Sequence, residues 1–234
     1  ARAALIAGSL ASGSLFWVRA ALGENQLRMH DCSRDGSISI GGVPEQLYGE
    51  GFVAAWHEVL ERELGPERAR AALYEAGRRG GRWEVERAIE RGVWVPRFLR
   101  PLVGKPAVLE AARRSPVFHA LLRETMRIFL RMIVTEGGWG VIEDLDLRAN
   151  PVRVTIANAP EPRRLGRTGR CSCDLLAGIT CGYVEGLVGA PCAVRETACA
   201  SRGDRACSFE VTVGAQYTQP QTPMASAFAA TARP

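Results

Sequence analysis

The sequence contains almost no lysine, few histidines and no long hydrophobic run. Lys105 is the single lysine in a 234-residue chain with 30 basic residues, so arginine supplies nearly all of the net charge of +5. No apolar run reaches the roughly 20 residues that a membrane-spanning helix needs. The densest group of arginines has no aromatic side chains between its members to stack on bases: Arg163, Arg164, Arg167 and Arg170. We therefore expect neither membrane insertion nor nucleic-acid binding.

Motifs for common cofactors and for catalysis are also missing. The glycine-rich segment 137–140 follows a predicted helix and lacks the spacing of a dinucleotide-binding GxGxxG turn. Lys105 follows a glycine but precedes a proline, without the upstream glycine of a phosphate-binding loop. The three histidines, His30, His57 and His119, have no serine or cysteine beside them in a catalytic arrangement, so we expect packing or surface roles for them. Binding is therefore a better expectation than catalysis.

The number and distribution of cysteines argue against a secreted disulfide framework. The chain has seven cysteines, an odd number, and all except Cys32 follow residue 170. Small secreted proteins usually carry an even number of cysteines spread through a loop-rich chain. Serines and glycines interrupt the apolar N-terminal segment 1–22, which has no clear cleavage site for a leader peptide. We expect a cytoplasmic protein with reduced cysteines, some of them bound to a metal.

The hydrophobic pattern changes from a helical period to a strand period along the chain. Apolar residues recur every three to four positions over 44–91, with a break at Gly65-Pro66, and again over 107–135. Alternating patterns then predict strands over 139–147 and 152–156, a helix over 173–188, and strands over 191–198 and 206–213. Helices followed by strands, with one helix inserted, indicate an α+β fold in which helices pack on a small antiparallel sheet.

This pattern also divides the chain into three parts. We predict an N-terminal extension with a short hairpin over residues 1–43, and a folded ligand-binding domain over residues 44–213. Residues 214–234 have no periodicity and are predicted to be disordered.

Three glycines lie on one face of the predicted 173–188 helix. Gly178, Gly182 and Gly186 are four residues apart, and each costs about 1 kcal/mol relative to alanine in a helix interior. Such a face needs a closely approaching neighbour to compensate for that cost. A sheet or a helix of a partner chain would serve, so this face predicts either internal packing or a dimer interface.

Four residues near the C-terminus have the donor atoms of a closed metal site. Cys199 and Cys207 flank a turn at Gly203-Asp204, which brings their sulfurs together, and Cys173 comes from the start of the 173–188 helix. Glu196 is three residues before Cys199, so both can ligate the same ion only if the strand bends near residue 198. Three thiolates and a carboxylate fill a tetrahedral shell, which is typical of structural zinc. Spacing alone leaves two alternatives open: buried reduced cysteines without metal, or ligation by Cys171, Cys181 or Cys192.

The spacing from Cys173 to Val211 closely resembles the 4-vinyl reductase domain family. The matching pattern is Cys173-x4-Gly178-x3-Gly182-Tyr183-x2-Gly186, then Glu196-x2-Cys199-x3-Gly203-x3-Cys207-x-Phe209-x-Val211. The resemblance implies the fold shared by nitric-oxide-signalling ligand-binding domains and vesicle-tethering transport-protein-particle subunits, often as a homodimer. It also implies that Cys173, Glu196, Cys199 and Cys207, in motif 173–211, bind Zn²⁺ and clamp the C-terminal hairpin.

The resemblance leaves three functions open. The first is a sensor domain without catalysis, which binds a small hydrophobic or aromatic molecule and signals to a separate output protein. The second is a bacteriochlorophyll 4-vinyl reductase-like protein that acts on or carries a tetrapyrrole, and the third is a dimeric scaffold. For the first, we expect a pocket between the helices of 107–135 and the strands from 139. Candidate lining residues are Phe118, His119, Phe129, Trp139 and Tyr183.

Overall fold

The computed structural model describes residues 30–32, 38–40, 43–45, 51–91, 101, 103–135 and 137–215. Its α-helices are α1 (Gly51–Leu64), α2 (Pro66–Arg91), α3 (Ala107–Arg114), α4 (Pro116–Leu130), α5 (Pro160–Leu165) and α6 (Asp174–Val188). A π-helical turn (Arg131–Thr135) extends α4, and a 3₁₀ turn (Ala200–Arg202) joins the last two strands. None of the helices in these ranges combines the length and apolar character needed to cross a membrane.

A four-stranded antiparallel sheet forms the second layer of the fold. Its strands are β4 (Val141–Asp146), β5 (Val152–Ala157), β6 (Cys192–Ala198) and β7 (Cys207–Val213), in the order β4-β5-β7-β6. In β5 and β7 every second side chain is buried against the helices, whereas the residues between are more exposed. This alternation is the period of two that the sequence shows. The predicted α+β architecture, helices on a small antiparallel sheet, is confirmed.

A separate three-stranded sheet precedes α1. Its antiparallel strands are β1 (His30–Cys32), β2 (Ile38–Ile40) and β3 (Val43–Glu45). The prediction that helix begins at Pro44 is wrong, because Pro44 pairs with Ser39 in β3 and α1 begins at Gly51. Proline is compatible with this position because β3 is an edge strand and needs no donor on its open side. The predicted turn at Asp35-Gly36 and the predicted disordered segment 216–234 lie outside the described residues.

Helix α6 is the centre of the molecule, and its glycine face packs on α2. Every residue of α6 from Leu175 to Val188 is buried, with α2 on one side and the sheet on the other. A Cβ atom on Gly178 would overlap the carbonyl oxygen of Tyr74, and one on Gly182 would overlap that of Arg78. The glycines therefore let two parallel helices approach at backbone distance. Of the two predicted roles, internal packing is the one this face has.

Two features of the helical part are missing from the sequence prediction. The 107–135 stretch is interrupted at Ser115, so α3 and α4 are separate helices, the second beginning at Pro116. Proline at a first helical position is a common start signal. The arginine-rich segment after β5, predicted to be a loop, contains the short helix α5 with Pro160 at its start.

Candidate metal centre and ligand cavity

Cys173, Glu196, Cys199 and Cys207 come together in a buried cluster. One ligand atom from each lies within 4.8 Å of the others. The Cys173 sulfur lies 3.3 Å from that of Cys207 and 3.7 Å from that of Cys199. All three cysteines are fully buried and none is in a disulfide. The four residues predicted from the sequence therefore share one site, at the junction of α6 and the β6–β7 hairpin.

A bulge in β6 points both Glu196 and Cys199 toward this site. Glu196 pairs with Phe209 and Ala198 pairs with Ser208, so the register shifts by one residue between them. The bend predicted near residue 198 is thereby confirmed, and it corrects the odd spacing of the two side chains. The turn that follows is held by Asp204, whose Oδ2 accepts the Cys199 N–H at 2.8 Å.

The dimensions and chemistry of the cluster fit a zinc ion. Tetrahedral zinc with bonds of about 2.3 Å places its sulfurs about 3.8 Å apart, close to the separations here. Oε1 of Glu196 is buried and has no hydrogen-bond partner among the described residues, although a buried carboxylate oxygen normally has one. A cation would satisfy this oxygen. Burial, together with the nearby Cys199, raises the pKa of Glu196 to about 8.

Hydrogen bonds among the sulfurs distribute charge unevenly in the cluster. Bonds from Cys173 and Cys207 lower the pKa of Cys199, whereas the bond to Cys199 raises the pKa of Cys173. A thiolate is therefore favoured at Cys199. Thiolates are the form that binds metal, so the cluster provides a negatively charged, buried donor set.

The three alternative cysteine ligands lie outside this donor set. The Cys181 thiol donates to the carbonyl of Cys192 at 3.5 Å, and the Cys192 thiol donates to the carbonyl of Ala190 at 3.5 Å. Burial raises the pKa of Cys181 to about 11 and that of Cys192 to about 12, as expected for inert buried thiols. Cys171 is near the cluster and half-buried, and burial raises its pKa to about 11.

A buried glutamate that the sequence analysis overlooked lies beside the cluster. Glu161 of α5 is 0% exposed, and its carboxylate accepts the N–H groups of Leu175 at 2.9 Å and Leu176 at 3.1 Å. Nε2 of His57 lies 3.2 Å from the same carboxylate. Burial raises the pKa of Glu161, while the contact with His57 opposes that rise. The sequence signal was a proline-glutamate pair at a helix start, which favours an acidic first turn.

An apolar cavity lies between α4, the sheet and α6. It leaves about 20 Å³ for the centre of a water molecule, which is room for about one water. Hydroxyl groups come from Thr180 and Tyr183, and the Tyr183 hydroxyl donates to Glu84 at 2.6 Å. No lining residue is charged; they are Met126, Leu130, Val134, Ile142, Leu145, Leu147, Val154, Ile156, Leu176, Thr180, Tyr183, Val184 and Leu187.

The predicted pocket residues occupy different positions around this cavity. Tyr183 lines it, while Phe118 and Trp139 are partly buried against the surrounding core. His119 has a buried Nε2 atom without a hydrogen-bond partner in the described ranges, and it is not among the lining residues. Phe129 belongs to α4, but its side chain is outside what the structure describes. A pocket role for these residues stays a prediction.

Comparison with known proteins agrees with the fold and the cluster. Residues 152–213 match the family model of the 4-vinyl reductase domain. The chain is similar to the phenol-responsive sensory domain of the transcription activator PoxR, with 19% identity and a TM-score of 0.56 over 81% of this chain and 87% of that one. It is also similar to a vinyl-4-reductase family protein from Methanocaldococcus jannaschii, with 18% identity and a TM-score of 0.44 over 72% and 83% of the two chains. The search of curated proteins returned no match. The resemblance predicted from the sequence is confirmed, and the chain contains a 4-vinyl reductase domain that includes α6 and the Cys/Glu cluster.

Proposed function

We propose that this chain is a sensor domain that binds a small, neutral, hydrophobic molecule and uses zinc as a structural brace. The observation that carries the proposal is the buried cavity without a charged lining residue between α4, the sheet and α6. Small-molecule sites are usually concave, mostly apolar and equipped with a few polar groups. The PoxR domain of the same fold is phenol-responsive and was crystallised with phenol, which supports an aromatic ligand here.

The lining restricts the chemistry of the ligand. A buried charge without a partner costs far more than an apolar contact returns, so carboxylates and amines are excluded from this cavity. The hydroxyl of Tyr183 is already bonded to Glu84, which leaves Thr180 as the second lining hydroxyl. The ligand therefore carries at most one or two hydrogen-bonding groups, as toluene and phenol do.

The cavity must widen to hold such a ligand. An aromatic ring takes on the order of 150 Å³, well above the space of the closed cavity. Met126 is the most adaptable lining residue because its unbranched side chain repacks easily. Leu130 and Val134 lie where α4 passes into the π-helical turn, and such turns often mark functional sites in helices. We infer that ligand entry moves this end of α4 away from the sheet.

Zinc would be held by Cys173, Glu196, Cys199 and Cys207. Its chemistry is structural, because four protein ligands leave no position for a reacting water. These residues connect α6, which lines the cavity, to the β6–β7 hairpin. Metal binding would therefore fix the position of one cavity wall.

A ligand screen by thermal denaturation tests the proposal. Zinc-loaded protein is melted with toluene, phenol or benzoate, and dissociation constants are then measured by calorimetry. We expect toluene and phenol to raise the melting temperature, because a ligand at 100 times its Kd stabilises by about 2.7 kcal/mol. Benzoate should have no effect. Equal shifts with all three, or none with any, would contradict the proposal.

The remaining functions differ in how the structure bears on them. A scaffold that dimerises through the glycine face loses its surface, since α2 of the same chain covers that face. A vinyl reductase stays a prediction, checked by incubating the protein with NADPH and a vinyl chlorophyllide. We also infer a homodimer and a separate output protein, for which light scattering and co-purification are the respective tests.

A further inference from the structure

The start of α6 lacks the usual cap. Cys173 occupies the N-cap position, where serine, threonine, aspartate or asparagine normally accepts a hydrogen bond from the first helical turn. The Cys173 side chain makes no such bond, because its sulfur is turned toward Cys199 and Cys207. A metal ligand at this position therefore leaves the first N–H groups of a buried helix in need of another acceptor.

Two carboxylates from other elements supply the missing acceptors. Glu161 accepts the N–H groups of Leu175 and Leu176, one on each oxygen. Oε2 of Glu196 accepts the N–H of Cys173 at 3.2 Å. Both negative groups lie at the positive end of the helix dipole, where they are favoured. Glu161 does the capping that Cys173 cannot do, without being in the metal donor set itself.

Glu161 also connects the cluster to the helices around it. Through His57 it is bonded to α1, and α5, which carries it, packs on both α1 and the 3₁₀ turn that follows Cys199. The segment after α5 is fixed to that turn as well. The hydroxyl of Ser172 donates to Ser201 at 2.7 Å, and the N–H of Thr168 donates to the Ser201 carbonyl at 2.9 Å.

We propose that Glu161 is an outer-shell positioning residue of the metal centre, and that its contact with His57 couples α1 to that centre. Glu161 caps α6 so that the Cys173 sulfur stays directed at the ion. This inference rests on the proposed function, since it presumes that the cluster binds metal. Outer-shell partners that orient ligands typically change metal affinity by about 10- to 100-fold when they are replaced.

Glu185→Gln is the matched control for Glu161→Gln. Glu185 is also a buried glutamate, and it also accepts a backbone N–H, that of Cys192 at 3.0 Å, as well as a bond from Arg78 at 2.8 Å. It lies on α6 itself, but about 18 Å further along the helix from Cys173 at about 1.5 Å per residue. Both variants lose a buried carboxylate, and only Glu161→Gln loses one beside the cluster.

The test measures zinc affinity by chelator competition and the visible spectrum of the Co²⁺-substituted protein, which reports thiolate coordination. We expect Glu161→Gln to weaken zinc binding about 10- to 100-fold and to alter the Co²⁺–thiolate bands. Glu185→Gln should lower the melting temperature while leaving affinity and spectrum unchanged. His57→Gln, which keeps both backbone bonds of Glu161, should weaken binding by a smaller factor.

The outcomes separate this inference from the proposed function. If the wild-type chain binds neither zinc nor Co²⁺, the metal centre itself is wrong and the inference falls with it. If the wild type binds zinc and Glu161→Gln matches it in affinity and spectrum, the inference alone is overturned. It is also overturned if Glu185→Gln weakens binding as much. Should Glu161→Gln not fold, unchanged zinc affinity in His57→Gln would overturn the coupling to α1.

Discussion

A methyl group on Gly81 would lie 2.5 Å from the carbonyl oxygen of Ile179. This relationship between α2 and α6 repeats along both helices, with Gly178 against Tyr74 and Gly182 against Arg78. Because backbone touches backbone, the spacing of the two helices is fixed by the absence of side chains. The central helix, one wall of the cavity and the first metal ligand all depend on that spacing.

Gly81→Ala and its neighbour Gly80→Ala should have opposite effects. At Gly81 a new methyl group meets the main chain of Ile179, and such overpacking costs about 1–3 kcal/mol or more. At Gly80 nothing lies within 4 Å, so alanine should stabilise α2 by about 0.5–1 kcal/mol. Urea denaturation measures both. Equal effects of the two substitutions would show that the helices do not pack as described.

Much of this arrangement could be predicted from the sequence. The hydrophobic period placed α2, α6 and the four strands of the main sheet within a few residues, because each buries one face in a regular way. The four-residue glycine spacing indicated a close helix contact. It did not distinguish a partner chain from α2, since glycines record only that a neighbour approaches. The odd spacing of Glu196 and Cys199 indicated the bulge.

Other features depend on contacts that a single sequence does not reveal. Glu161 lies in an arginine-rich segment that reads as a solvated loop, and its burial comes from His57 and the start of α6, both distant along the chain. Pro44 continues a helical pattern, but pairing with β2 overrides it. The cavity is lined mainly by aliphatic residues from four elements, whereas aromatic and histidine side chains drew attention in the sequence.

Cys199→Ser should release the metal and lower the free energy of unfolding by several kcal/mol, because structural zinc contributes directly to folding. Cys181→Ala is the control, since Cys181 is equally buried in α6 but donates to the Cys192 carbonyl and not to the cluster. It should keep its zinc and lose only about 1 kcal/mol. Metal content by elemental analysis and stability by denaturation check both variants. Unchanged metal content and melting in Cys199→Ser would contradict the assignment.

The stability of the chain should depend on the protonation of His119. Burial and the positive charges of Arg148 and Arg123 lower the pKa of His119 below its usual 6.5, although Asp146 opposes them. Below pH 6.5 the unfolded chain therefore binds a proton that the folded chain does not, and stability falls as the pH decreases toward the lowered pKa. Above pH 6.5 this contribution is constant.

His119→Gln removes that titration. We expect the denaturation midpoint of the wild type to fall more steeply than that of the variant between about pH 6.5 and 5. The variant and the wild type share all other titrating groups, including the cluster, so the difference between their profiles isolates His119. Parallel profiles would show that His119 titrates normally in the folded protein.

Thr180→Val should discriminate between ligands with and without a hydroxyl. The substitution keeps the shape of the side chain and removes a hydroxyl from the cavity wall. A net hydrogen bond of about 0.5–1.5 kcal/mol predicts that phenol binds about 3- to 10-fold more weakly, whereas toluene binding is unchanged. Calorimetry with the two ligands measures both constants. A parallel loss for toluene and phenol would place the ligand hydroxyl elsewhere.

X-ray absorption at the zinc edge of the purified protein tests the metal centre most directly, because it counts the atoms bound to the ion. The cluster predicts one zinc per chain with three sulfurs at about 2.3 Å and one oxygen at about 2.0–2.2 Å. Protein without zinc, or zinc bound by four sulfurs and no oxygen, would contradict the assignment of Cys173, Glu196, Cys199 and Cys207.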